Sequence, residues 1–183
     1  MNGFERFFGH LSTITRHRHK VIVHCAKAGI LRQGLLHDLS KYSPTEFWQG
    51  VRYYDGHHSP NEDERRAIGY SLAWMHHKGR NPHHWEYWTD FSMETKRYTA
   101  MPMPRRYLAE MICDRMAASK TYLGAQYTDA SPLAYLMRGK MRDMMNPETE
   151  ETLRGFLTEL RDNGEKAMFA SLRRWVREEK KKK

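Results

Sequence analysis

Four expected helix starts in this 183-residue chain have a capping residue followed directly by proline, at Ser43-Pro44, Ser59-Pro60, Ser131-Pro132 and Asn146-Pro147. Proline suits the first position of a helix, because the N–H it lacks would have no partner there and its ring presets φ. At Ser43 and Ser59 an acidic residue follows the cap by three, Glu46 and Glu62, which is the pattern of a capping box. Alternating runs of β-branched residues flanked by hairpin turns are nearly absent. The expected fold class is therefore all-α, a single compact helical bundle.

The punctuation sets the expected elements. A first helix should run from about Leu11 to Ala28 and stop at Gly29, and a short second one from Leu31 to Leu39. Ser43 should open a helix to about Tyr54, and Ser59 one to about His77. Met101-Pro102-Met103-Pro104 is an extended approach to a helix from Arg105 to about Tyr122. Two more should begin at Ser131 and Asn146, with Gly164 separating the last pair. Leu153, Phe156, Leu157 and Leu160, then Phe169, Leu172, Trp175 and Val176, recur at helical spacing and should close the core. With no internal repeat or linker, residues 1–179 are expected to form one domain, with its metal-site core at about 17–122, C-terminal helices at 131–179 and a basic tail at 180–183.

No stretch reaches the 18 or so apolar residues of a membrane span, and Met1–His10 lacks a signal-peptide pattern. Cys25 and Cys113 lie within apolar helical patterns, as buried thiols do, so a cytoplasmic protein is expected. The net charge of +9 includes the terminal run Lys180–Lys183, which leaves about +5 for the remainder. A mildly basic enzyme for phosphorylated substrates accounts for that balance as well as a nucleic-acid binder does.

Eleven histidines bear more directly on function, clustering as His17/His19, His57/His58, His76/His77 and His83/His84. In Gly34-Leu35-Leu36-His37-Asp38-Leu39-Ser40-Lys41 an apolar pair precedes a neutral nitrogen donor and an anionic oxygen donor. The bland reading is a helix end with two surface polar residues. The sharper one is a ligand pair for iron, manganese, zinc or nickel, whose carboxylate can bridge two ions. In the first helix His19 shares an arc with Val23, Ala26 and Ile30, while His17 and His24 share another with Val21 and Ala28. On that arc His19 should look inward, and His17 and His24 are rivals that the helical wheel alone does not exclude. Glu110 and Asp114, one turn apart beside Met111 and Ala118, need a cationic partner if they are buried, either Arg106, Arg115 or a metal ion.

A histidine in an early helix, an apolar-apolar-His-Asp segment followed by lysine, a later histidine pair and an alanine-rich helix containing aspartate resemble the HD superfamily of metal-dependent phosphohydrolases. More narrowly, the chain is similar to a bacterial and phage family with His-Asp-Leu-Ser-Lys, Trp-x-His-His-Lys-x-x-Asn-x-His-His and Glu-Met-x-x-Asp segments. Those stand here at His37–Lys41, Trp74–His84 and Glu110–Asp114. The resemblance implies that His19, His37, Asp38 and Asp114 ligate one divalent transition metal (Mn, Fe, Ni or Zn). It implies further that Asp38 bridges to a second ion held by His76 or His77 with His83 or His84.

The segment from Trp74 to Trp85 combines four imidazoles, two cations and an amide, a suitable pocket for an anion. Lys41, Arg80 and His84 are the expected catalytic contacts to a small phosphorylated substrate, expected to be a nucleotide. Its bland reading is a polar loop between core tryptophans. Three functions follow as expectations: hydrolysis of a phosphate ester by a metal-activated water, di-iron oxygen chemistry of the same superfamily, or a non-catalytic helical module that binds nucleic acid through Trp85, Tyr87 and Trp88.

Overall fold

The computed structural model describes residues 1–180. Of the terminal lysine run, residues 181–183 lie outside the described residues. The expected all-α class is what the chain adopts: eight α-helices and a single small hairpin among the described residues. They are α1 (Gly3–Ala28), α2 (Leu31–Leu36), α3 (Pro44–Arg52), α4 (Pro60–Ile68), α5 (Leu72–Lys78), α6 (Arg105–Leu123), α7 (Ser131–Arg138) and α8 (Pro147–Lys180).

The proline-marked starts hold for α3, α4, α7 and α8, but the second helix, expected to reach Leu39, ends at Leu36 and leaves His37 and Asp38 in the turn that follows, and three further expectations change. First, α1 begins eight residues before Leu11, because Asn2 and Glu5 form a reciprocal capping box. Second, the helix opened at Ser59 does not reach His77. It stops where Gly69 takes φ 86°, and α5 restarts after Ser71, whose hydroxyl caps the Trp74 amide. Third, β1 (Thr89–Ser92) pairs antiparallel with β2 (Arg97–Ala100), a hairpin too short and too exposed to leave an alternating signature.

Helix α1 packs against α2, α3, α6 and α8. Its buried residues, His10, Ile14, His17, Val21, His24, Cys25 and Ala28, recur every three or four positions and form one stripe. The stripe meets α6, where Leu108, Ile112, Cys113, Met116 and Ala117 are buried. Gly34 permits the close approach of α2, since a Cβ there would lie 2.6 Å from the Cβ of Cys25. The last helix is bent at Gly164 (φ 76°, ψ 171°), and the bend lets both of its arms reach the core. Leu153, Leu157 and Leu160 come from one arm, and Met168, Phe169, Leu172 and Val176 from the other. Cys25 and Cys113 are buried free thiols.

Two histidines of the α1 stripe are held neutral. Burial, reinforced by the charge of Lys41, pushes His10 down to about 4. Burial also takes His24 down to about 4, although the Cys113 carbonyl 3.1 Å from its Nδ1 works the other way. Unfolded histidine takes up its proton near 6.5, so the unfolded state binds protons first as pH falls. Stability from these residues is complete above about pH 6.5 and is lost progressively down to about pH 4. By pH 5 the loss is about 2 kcal/mol for each. Urea midpoints of metal-free protein at pH 7.5 and pH 5 should fall further apart in the wild type than in His24→Gln; equal separations would contradict the assignment.

Candidate metal centre

Five pieces of the chain converge beside the middle of α1. Helix α2 ends in a sharp turn, with Asp38 in the left-handed region (φ 53°, ψ 27°), a conformation aspartate tolerates better than most residues. Arg18 secures the turn by donating to the carbonyls of Leu35 (2.5 Å) and His37 (3.3 Å). His37 and Asp38 are thereby turned into the protein, both almost fully buried. Helix α1 adds His17, α5 adds His77, the loop after α5 adds His83 and His84, and α6 adds Glu110 and Asp114.

Two four-residue groups result, each offering one ligand atom per residue with all four atoms within 4.8 Å of one another. His17, His37, Asp38 and Asp114 form the first, and Asp38, His77, His83 and His84 the second. Asp38 belongs to both through different oxygens. Its Oδ2 lies 3.2 Å from His37 Nε2 and 3.9 Å from His17 Nε2. Its Oδ1 lies 3.2 Å from His77 Nε2 and 3.4 Å from His83 Nε2. Asp114 Oδ1 completes the first group at 2.9 Å from His17 Nε2 and 3.5 Å from His37 Nε2.

Of these atoms, Asp38 Oδ2 accepts from Lys41 Nζ and the Nε2 atoms of His77 and His84 lie within hydrogen-bond distance of each other, at 2.9 Å, but four others have no partner. The Nε2 atoms of His17, His37 and His83 and the Oδ1 of Asp38 are buried and lack hydrogen-bond geometry to any partner. Buried polar atoms are normally satisfied, and leaving one unpaired costs about 1–3 kcal/mol. Four such atoms in one place are an arrangement that a cation would satisfy, and the groups could hold a metal ion. The N, N, O, O donors of the first group and the O, N, N, N donors of the second suit a divalent transition metal.

The charges are arranged to keep the carboxylates ionised. Burial pushes Asp38 up, but His37, Lys41 and His77 together hold it well below the usual carboxylate range. Asp114 is likewise raised by burial and overridden by His17 and His37. His37 is lowered by burial yet lifted well above the usual range by Asp38, Asp114 and Glu110. Burial and the neighbouring His83 and His77 hold His84 well below its ordinary value, so it is a neutral donor. Lys41, half-buried, places Nζ 2.6 Å from Asp38 Oδ2.

A second layer holds the rings. Glu46 accepts from His76 Nδ1 and His77 Nδ1, each at 2.7 Å. Asn81 Nδ2 donates to the His77 carbonyl (2.8 Å) and to Ser40 Oγ (2.8 Å), tying α5 to the Asp38 turn. Trp85 sits in the core and Trp88 Nε1 donates to the Pro82 carbonyl at 2.7 Å, which pins the loop bearing His83 and His84. Glu64, fully buried, accepts from Ser71 Oγ at 2.5 Å and from the Leu72 amide at 3.2 Å, fixing the start of α5.

The comparison with known proteins places the chain by its length. A family model described as a family of unknown function, DUF5662, matches residues 6–159. The chain belongs to DUF5662. That assignment covers every residue of both groups, so the centre is a feature of this DUF5662 domain's matched region and not of an appended segment. No curated protein and no solved structure matches the chain.

Of the residues expected from the sequence, His37, Asp38, His77 and Asp114 are brought together in this DUF5662 domain, with Lys41 beside Asp38. His19 is not: it is exposed, and His17 takes the corresponding place. The arc of His19, Val23, Ala26 and Ile30 included a residue beyond the helix, since Gly29 ends α1 in a left-handed cap. Val23, on the same arc as His19, is 54% exposed. His76, one of the expected ligands, faces Glu46 and belongs to neither group, while His83 and His84, offered as alternative ligands with His84 also as a substrate contact, both stand among the ligand atoms. Arg80 is exposed, its Nη1 donating to the His76 carbonyl at 3.3 Å. Glu46 was missed because its position three after Ser43 already explained it as a cap residue. Trp85 is buried and Trp88 half-buried against the core, which leaves Tyr87 as the exposed member of the aromatic trio.

Proposed function

We propose that this protein is a metal-dependent phosphohydrolase of HD type, acting on a nucleotide or other small phosphate ester. The observation that carries the reading is the shared carboxylate: Asp38 directs one oxygen toward each of two buried donor groups, which together hold four atoms without a hydrogen-bond partner. The order His17, His37-Asp38, His77 and Asp114 along the chain supports the resemblance to that superfamily. Buried free thiols accord with a cytoplasmic setting, and among the described residues no helix is long and apolar enough to cross a membrane.

His17, His37, Asp38 and Asp114 would hold one ion, and Asp38, His77, His83 and His84 a second. Such ions supply a bound water of lowered pKa and a Lewis acid for a phosphate oxygen. Lys41 contributes a fixed positive charge at the edge of the centre, held above its ordinary range because Asp38 and Asp114 outweigh the cost of its burial. With 28% of its side chain exposed, it is suited to meet an anionic substrate arriving from solvent. Glu46 holds the His77 ring by accepting from Nδ1, and Asn81 holds the His77 carbonyl, so that Nε2 faces Asp38.

Protein loaded with manganese, iron or nickel should release phosphate from a nucleotide panel, and elemental analysis should find one or two ions per chain. Dialysis below about pH 6, where free imidazole protonates, should strip them. Protein that binds no transition metal and cleaves no phosphoester would refute the reading. Two irons bound without phosphatase activity would instead favour oxygen chemistry, which the same shared carboxylate also suits.

A further inference from the structure

The two groups share a second residue that lies behind the ligands. Glu110, on α6 one turn before Asp114, is only 5% exposed. A single oxygen, Oε1, lies 2.9 Å from His37 Nδ1 and 3.2 Å from His83 Nδ1. Its other oxygen accepts from Gln33 Nε2 at 3.1 Å, so the carboxylate is held at both ends. The two imidazoles lie against each other, with ring centroids 4.3 Å apart and planes 37° from parallel. His37 belongs to the first donor group and His83 to the second.

We infer that Glu110 is a positioning residue that ties the two ion sites into one unit by orienting a histidine of each. An N–H at Nδ1 of each ring, donated to the same oxygen, leaves Nε2 as the free lone pair, and in both rings Nε2 is the buried atom without a partner. Rotating either ring away from its ion breaks a hydrogen bond to the oxygen that holds the other. Glu110 could instead be read as a ligand with His37 and His83, whose atoms also lie within 4.8 Å. The unsatisfied atoms argue against that, since those of both rings point to the opposite side.

Glu46 supplies the internal contrast. It holds His77, of the second group, and His76, of neither. Disturbing Glu46 should therefore weaken one site, and disturbing Glu110 both. The inference rests on the two-ion reading of the centre.

The test is titration of metal-free protein with Co(II), followed by calorimetry and by the visible absorption of the bound ion. Wild type should take up two equivalents. Glu110→Gln keeps the volume and one acceptor oxygen, and should weaken both by about 10–100-fold and shift both spectral components. Glu46→Gln should weaken one equivalent and leave the other at its wild-type affinity and spectrum. Far-UV circular dichroism and urea midpoints accompany the titrations, because a purely structural role would move the midpoint without altering the cobalt spectrum. Glu110→Gln with both affinities unchanged, or with one changed, overturns the inference while leaving the two-ion reading intact. Wild type that takes up fewer than two ions overturns that reading and this inference with it.

Discussion

Asp38→Ala protein should bind no ion at either position and should lose phosphate release by at least about 10³-fold, equivalent to about 4 kcal/mol of barrier. No other residue enters both donor groups through its two carboxylate oxygens, so no other single substitution among these residues should remove as much. The loss has an electrostatic side as well. Asp38 is the nearest anion to Lys41 (2.6 Å) and also lies 3.2 Å from His77 and from His37. Removing one partner of a buried charge pair costs about 3–5 kcal/mol, because the other charge stays buried and uncompensated. Alanine also fits the left-handed conformation at this position less well than aspartate.

Asp38→Asn separates these effects. Asparagine tolerates the left-handed backbone and keeps the volume, yet cannot supply an anionic oxygen to two sites. It should fold with a near-wild-type circular dichroism spectrum and still fail to retain metal through gel filtration. Asp38→Asn that keeps two ions and full activity would refute the bridging role.

The second large effect is a contrast within three residues of α1. His17→Ala should reduce affinity for one ion by at least about 100-fold, a loss at the upper end of what removing a supporting residue alone produces. His17 is buried with Nε2 2.9 Å from Asp114 Oδ1, so Asp114 also loses its neighbour. His19→Ala should leave metal content and phosphate release within about twofold and stability within about 0.5 kcal/mol, as expected of an exposed helical position. Elemental analysis of the two variants purified in parallel decides it. Equal losses in both, or a loss confined to His19→Ala, would overturn the assignment.

Much of this was legible along the chain because it rests on local physics. The cap-proline pairs opened helices where they stood, since capping and a fixed φ act within four residues. The bend at Gly164 was legible for the same reason. His37, Asp38 and Asp114 stood out because two ligand types beside an apolar run, and a pair of acids on an apolar helix face, conflict with simple burial unless a cation resolves them. The hairpin at Thr89–Ala100 left no such mark, being only four residue pairs long.

What the residue order could not specify was orientation. Two faces of α1 carry histidine, and only packing against α6 and its neighbours turns His17 inward and His19 out. Four histidines crowd the segment after Trp74, and the break at Gly69, the Glu46 carboxylate and the Trp88–Pro82 hydrogen bond sort them. His77, His83 and His84 face Asp38, while His76 faces away. Residue identity along the chain set which donor chemistries were available and which segments were helical. Convergence of five segments on one carboxylate required long-range contacts, because a ligand atom's direction depends on what its side chain packs against.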